Sequence, residues 1–260
     1  MKDEKEKNIR ALTIAAIIAV IVIVGGLLYN YFIKDDGANA SDKYLIVGNY
    51  LILQKTNTSF KQIKEASKKV LQNKFVINDG NNVKNDVTLQ FLDNKWYFFD
   101  NNFKEIQMPN FRVATHNLKV KLAKFERKIV VNFSNDKYIN KFLEDNNVKN
   151  VDSYTADAIS CDLDNDGKVE YIYTLSNYTL STTNYKQKGY SFIVKDNTIY
   201  DLTEKNIDVP YTVMEILDLN IDDKYEIIIN RGDVNLKTFD SCYKIYGVSG
   251  DKIELQKDCK

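Results

Sequence analysis

Apolar positions along this chain follow two unlike patterns. Residues 11–33 form an uncharged run of 23 residues. From residue 43 onward the apolar residues come in short blocks broken by Asp, Asn, Gly and Ser. The first pattern predicts a transmembrane helix, because ~20 apolar residues in a helix cross the ~30 Å hydrocarbon core. The second predicts short strands joined by turns. Lys2, Lys5, Lys7 and Arg10 precede the apolar run, whereas Lys34, Asp35 and Asp36 follow it. The positive-inside rule therefore predicts a single-pass plasma-membrane protein: residues 1–10 cytoplasmic, 11–33 in the lipid bilayer, 34–42 a linker and the remainder extracellular. A cleaved signal peptide is the rival reading, since Ala38-Asn39-Ala40 has the spacing of a cleavage site. Its apolar core, however, normally runs only about 7–15 residues.

Residues 43–150 read as an α+β module. A strand is predicted over 44–54. Phe60, Ile63, Ala66, Val70 and Leu71 recur at helical spacing between lysines and predict an amphipathic helix over 58–72. A hairpin is predicted at 87–92 and 95–99, further strands over 111–114, 118–122 and 128–133, and a helix over 136–145. Residues 151–260 read as a mainly-β module of two repeats. The fold class expected is thus one transmembrane helix, an extracellular α+β region and a β-repeat module.

The repeats are marked by loops. Asp162-Leu-Asp164-Asn-Asp166-Gly167-Lys168-Val-Glu170 returns 56 residues later as Asp218-Leu-Asn220-Ile-Asp222-Asp223-Lys224-Tyr-Glu226. Oxygen-bearing side chains at loop positions 1, 3, 5 and 9 suit a hard cation that takes several oxygens, as calcium does. Gly167 sits where the loop must turn sharply, and positive φ costs glycine little. Asp223 holds the same place in the second copy and must enter the left-handed region, which Asp tolerates better than most residues. An EF-hand is excluded, because it needs a bidentate Glu at position 12, where Tyr173 and Ile229 stand. The flanks are rich in β-branched and aromatic residues, so the loops join strands.

Over residues 155–257 the pattern resembles the FG-GAP or VCBS repeat, the calcium-loop blade of integrin-like β-propellers. The resemblance implies a Ca2+ ion held by Asp162, Asp164, Asp166, Glu170 and the main-chain oxygen of Lys168. A second ion would be held by Asp218, Asn220, Asp222, Glu226 and the main-chain oxygen of Lys224. Glu replaces the family's Asp at position 9 in both copies, and the second lacks the turn glycine. Ordinary acidic turns between hairpins are the alternative reading. Each unit offers about four short strands, the content of one blade, while a closed propeller needs roughly 4–8 blades.

Composition narrows the remaining choices. Thirty-six basic residues balance 36 acidic ones, which gives no argument for a nucleic-acid partner. Seventeen Tyr and 13 Phe suit a sheet-rich body. Cys242 and Cys259 fall in the same terminal unit and can close it, leaving Cys161 odd, with free buried thiols as the alternative. Catalysis has little support: His116 is the sole histidine, and neither a G-x-S-x-G elbow nor an H-E-x-x-H helix occurs. The expected function is a surface-exposed, calcium-binding β-repeat protein that binds or scaffolds a protein or envelope-glycan ligand. The alternative is an envelope-acting hydrolase with the repeats as accessory domain.

Overall fold

The computed structural model describes residues 42–48, 51–56, 59–63, 68–92, 95–106, 112–130, 133, 135–149, 154–177, 188–204, 209–232, 242–250 and 252–257. After β1 (Tyr44–Val47), Gly48 enters the left-handed region at φ 61°, and the chain returns as β2 (Leu51–Lys55). Successive side chains on a strand point to opposite faces. Tyr44, Ile46 and Ile52 therefore enter one core while Leu45, Val47, Leu51 and Leu53 enter another. The hairpin is the seed of an eight-stranded antiparallel sheet. It adds β3 (Phe60–Gln62), β4 (Phe75–Asn78), β5 (Val83–Leu92), β6 (Lys95–Phe99), β7 (Glu105–Ile106) and β8 (Val113–His116), in the order β3-β2-β1-β8-β4-β5-β6-β7. One face of this sheet closes over Phe75, Val87, Leu89, Trp96 and Phe98, with Val70 from the one-turn helix α1 (Lys68–Leu71).

Two five-stranded antiparallel sheets follow. One runs β10-β11-β12-β13-β14, built from β10 (Glu126–Val130), β11 (Tyr154–Cys161), β12 (Glu170–Asn177), β13 (Lys188–Lys195) and β14 (Thr198–Asp201). The other runs β18-β17-β16-β15-β9, built from β9 (Lys121–Leu122), β15 (Tyr211–Asp218), β16 (Glu226–Arg231), β17 (Cys242–Ser249) and β18 (Lys252–Lys257). Glu226-Ile-Ile-Ile-Asn230 is apolar at three consecutive positions, which a strand buried on one face would not need. Ile227 and Ile229 pack on Ile159, Ile172 and Ile193 of the β10–β14 sheet. Ile228, facing the other way, packs with Leu45, Leu51 and Val113 of the eight-stranded sheet. The β9/β15–β18 sheet is thus the middle layer, and each of these isoleucines contributes about 1.5–3 kcal/mol by leaving water.

The outer face of the β10–β14 sheet is covered by helix α2 (Lys137–Asp145), which presents Ile139, Phe142 and Leu143 to Tyr173, Tyr190 and Phe192. The Phe142 and Phe192 rings stack at 4.2 Å. Asp136 caps the helix, accepting the Tyr138 and Ile139 N–H groups at 3.0 Å each.

Several expectations are corrected. The α+β reading of 43–150 gives way to a mostly β region, in which an eight-stranded sheet fills most of the length and the described helices are the single turn α1 and the nine-residue α2. Of the predicted helix over 58–72, the described residues are helical only at α1 (Lys68–Leu71); its start is β3, whose buried Phe60 pairs with Lys55 of β2, so tertiary pairing outweighs the local period there. The predicted strand over 44–54 is a hairpin. The predicted transmembrane helix 11–33 lies outside the described residues. No helix among the described residues is long and apolar enough to cross a membrane, so the single-pass plasma-membrane assignment and its inside-outside topology have no support in the structure. The two units form no closed propeller, as two blades alone cannot. They stack on each other, with the eight-stranded sheet and α2 closing the two ends. Strands β9 and β10, from residues before 150, pair with β15 and β11 and so belong to the repeat sheets.

Candidate functional site

Both acidic loops sit between the first two paired strands of a unit, 162–169 between β11 and β12 and 219–225 between β15 and β16. Their backbones follow one path. Positions 4 and 6 are left-handed in each, Asn165 at φ 56° and Gly167 at 86°, then Ile221 at 59° and Asp223 at 62°. Gly167 and Asp223 therefore turn as the spacing predicts. A β-branched residue such as Ile221 pays about 1–2 kcal/mol for that conformation. The loop's first acid compensates by collecting backbone donors. Asp162 accepts the N–H groups of Asp166 at 3.1 Å and Gly167 at 3.0 Å. Asp218 accepts those of Asn220, Ile221, Asp222 and Asp223 at 2.6–3.2 Å.

The position-9 acids brace the loops from inside. Glu170 accepts the Leu163 N–H at 2.7 Å, and Glu226 accepts that of Leu219 at 2.8 Å; each Glu is 2% exposed. Burial pushes both carboxyls above the ordinary range, and the accepted N–H bonds pull them back part of the way. Position 5 stays in solvent: Asp166 is held below the ordinary range by the Lys168 N–H, which it accepts at 2.8 Å.

Asp162, Asp164 and Asp166 converge, each offering a carboxylate oxygen within 4.8 Å of the others. Asp164 Oδ1 is buried without a hydrogen-bond partner, an acceptor left over by the protein's own bonding. Three carboxylates, one of them with a buried oxygen to spare, fit a hard, oxygen-seeking cation. The second loop fits less well. Among the described residues its acids form no comparable group, and its third position is Asn220, whose amide donates to Glu226 Oε1 at 3.0 Å. Of the expected ligands, the structure brings Asp162, Asp164 and Asp166 together. It sets Glu170 and Glu226 behind their loops as braces.

Lys195 is the partner that the sequence pattern did not reveal. It ends β13, is 2% exposed, and donates to Asp164 Oδ2 at 2.6 Å and Glu170 Oε1 at 3.5 Å. Burial alone would lower its ammonium, but the bond to Asp164 and the charges of Glu170 and Asp164 hold it above the usual lysine value. The ladders end at Tyr171–Val194 in the first unit and Ile227–Tyr246 in the second, one residue short of Glu170 and Lys195 and of Glu226 and Gly247. A Cβ on Gly247 would fall 1.9 Å from Gln256 Nε2, so the glycine opens the space through which Gln256 reaches Glu226. The signal for Lys195 was a lysine closing the apolar run Tyr190-Ser-Phe-Ile-Val194, a place where a charge needs a partner.

The two loops also touch. Tyr225 N–H donates to the Leu163 carbonyl at 2.8 Å, and the Asn165 amide donates to the Asp223 carbonyl. Beside the second loop opens a cleft of about 200 Å³, lined by Lys55, Ser59, Asn220, Gln256 and Lys257 over Phe60 and Ile245. Its described lining residues include no carboxylate. Cys161 is free and buried beneath the first loop, its thiol pushed up to about 12 by burial and then by Glu170 and Asp162, so it stays protonated. Cys242 is disulfide-bonded, its partner lying outside the described residues.

No family model matches this chain, and no curated protein or solved structure resembles it. The likeness to calcium-loop repeats therefore rests on the two loops and their strands alone.

Proposed function

We propose that the chain is a binding or scaffolding module whose stacked sheets are pinned by calcium at the first loop. The observation that carries this reading is the convergence of Asp162, Asp164 and Asp166 around a buried oxygen with no protein donor. Asp162, Asp164 and Asp166 would hold the ion. It would offset the mutual repulsion of their carboxylates and so lock the β11–β12 turn against the second loop. The second loop, with neutral Asn220 at its third position bonded to Glu226, would bind more weakly.

Calorimetric titration of the calcium-stripped full-length chain should show a first site saturating near one ion per chain, with magnesium competing poorly because it demands a stricter octahedron. Asp164→Ala should remove that site, and Asn220→Ala should leave it nearly intact. Because ligand at 100 times its dissociation constant adds about 2.7 kcal/mol to the folded state, calcium should also raise the melting temperature of the wild type and not of the Asp164 variant. A flat titration with identical melting in calcium and in chelator would reject the reading.

A further inference from the structure

We propose that Lys195 is a tethered cation that holds the first loop together without metal and sets how much calcium is needed to load it. The inference rests on the calcium reading above and adds the residue that tunes it. Lys195 Nζ lies 2.6 Å from Asp164 Oδ2, so an ion bound by the aspartate triad must share Asp164 with a positive charge already present. That charge is fixed: the side chain is 2% exposed and also lies 3.5 Å from Glu170. Its ammonium supplies part of the neutralisation that three converging carboxylates require, so the loop keeps its shape while empty of metal. The same charge repels an incoming divalent cation at short range, where the interaction is screened least.

The second unit supplies the comparison within one chain. There the position-9 Glu226 meets neutral amides, Asn220 at 3.0 Å and Gln256, and no lysine pairs with it among the described residues. A neutral hydrogen-bond donor is therefore compatible with this architecture, and the lysine of the first unit does something an amide does not. Lys168 provides an internal control. It pairs with Asp196 at 2.9 Å and Asp166 at 3.5 Å, yet its side chain is 65% exposed, so water screens its charge.

The test compares full-length wild type with Lys195→Gln, Lys195→Met and Lys168→Gln, using calcium chloride titrated into stripped protein by calorimetry and thermal melting in chelator. Removing the buried ammonium should tighten calcium binding by at least about tenfold, as expected when a like charge a few ångströms away is lost. Both Lys195 variants should melt lower than wild type in chelator and recover most of the loss in saturating calcium. Lys168→Gln removes a water-screened charge 3.5 Å from Asp166 and should tighten binding by clearly less than either Lys195 variant does. If wild type binds and both Lys195 variants bind equally or more weakly, the lysine is a structural ion-pair partner only, and the proposal falls while the calcium reading stands. If wild type fails to bind and the variants bind, the proposal stands and calcium loading of the natural chain does not. If none binds, both fall. Failure of both variants to fold even at saturating calcium would likewise overturn the proposal.

Discussion

At the scale of single residues, burial decides which acids brace, which bind and which cost stability. Asp157 on β11 shows the last case. One oxygen pairs with Arg127 at 3.2 Å, while Oδ1 is buried without a partner. Burial, opposed by Arg127, leaves its carboxyl above the ordinary value. A folded state that holds the proton more tightly than the unfolded one gains stability at low pH. That gain is complete below the unfolded value and disappears as pH rises through the raised folded one. Asp157→Asn should therefore match or exceed wild type in stability at pH 7 and lose this advantage toward pH 4. Denaturant unfolding at the two pH values measures it, and a variant clearly weaker than wild type at pH 7 would contradict it. The acids of the loops were legible from spacing alone, since positions 1, 3 and 5 are fixed by the turn. Lys195 was not, because its role depends on the β12–β13 register that brings it to Glu170 and Asp164, and register is a tertiary fact.

Elements were legible where period and turn chemistry agreed. The strands of both repeats, the 87–99 hairpin and helix α2 came from alternation, from Asp-Asn turns and from an Asp before an apolar helical face. The 58–72 segment misled at its start, where residues 60–62 pair with β2, and is helical only at α1 (Lys68–Leu71) among the described residues. Helix α2 depends on its cap. Asp136→Ala should cost about 1 kcal/mol through the lost N–H bonds, and somewhat more because the Tyr173 hydroxyl donates to the same carboxylate at 3.1 Å. Asp136→Asn, which keeps an acceptor for the helix, should recover most of the loss in a melting experiment. On β13, a Cβ at Gly189 would meet the Val209 carbonyl at 2.6 Å and Pro210 Cα at 2.8 Å. Both contacts are backbone and cannot swing aside, so Gly189→Ala should destabilise by about 1–3 kcal/mol. Unchanged denaturant midpoints would show that the 209–210 segment moves freely.

Across the whole molecule, the three sheets act as one body because side chains and strands cross their boundaries. Arg112, at the start of β8, donates to both oxygens of Glu215 on β15 and to the Ala123 carbonyl at 2.9 Å, with its guanidinium 4.8 Å from the Phe125 ring. Glu215 is 3% exposed, so Arg112→Ala leaves a buried charge unpaired and should cost about 3 kcal/mol or more, while Arg112→Met with Glu215→Leu should cost less than the single change. Additive losses in that double-mutant cycle would mean that the pair does not couple the sheets. None of this was readable in advance, because one sequence shows which faces are apolar and not which faces meet. The middle layer has a further consequence for synthesis. Leu45, Val47, Leu51, Leu53 and Val113 leave the ribosome with their face finished and uncovered, and the strands that cover it, with Leu217, Ile228 and Ile245, follow roughly a hundred residues later. At about 5–20 residues per second that face stays wet for on the order of ten seconds, long enough for a nascent chain to need a chaperone before its own C-terminal half arrives.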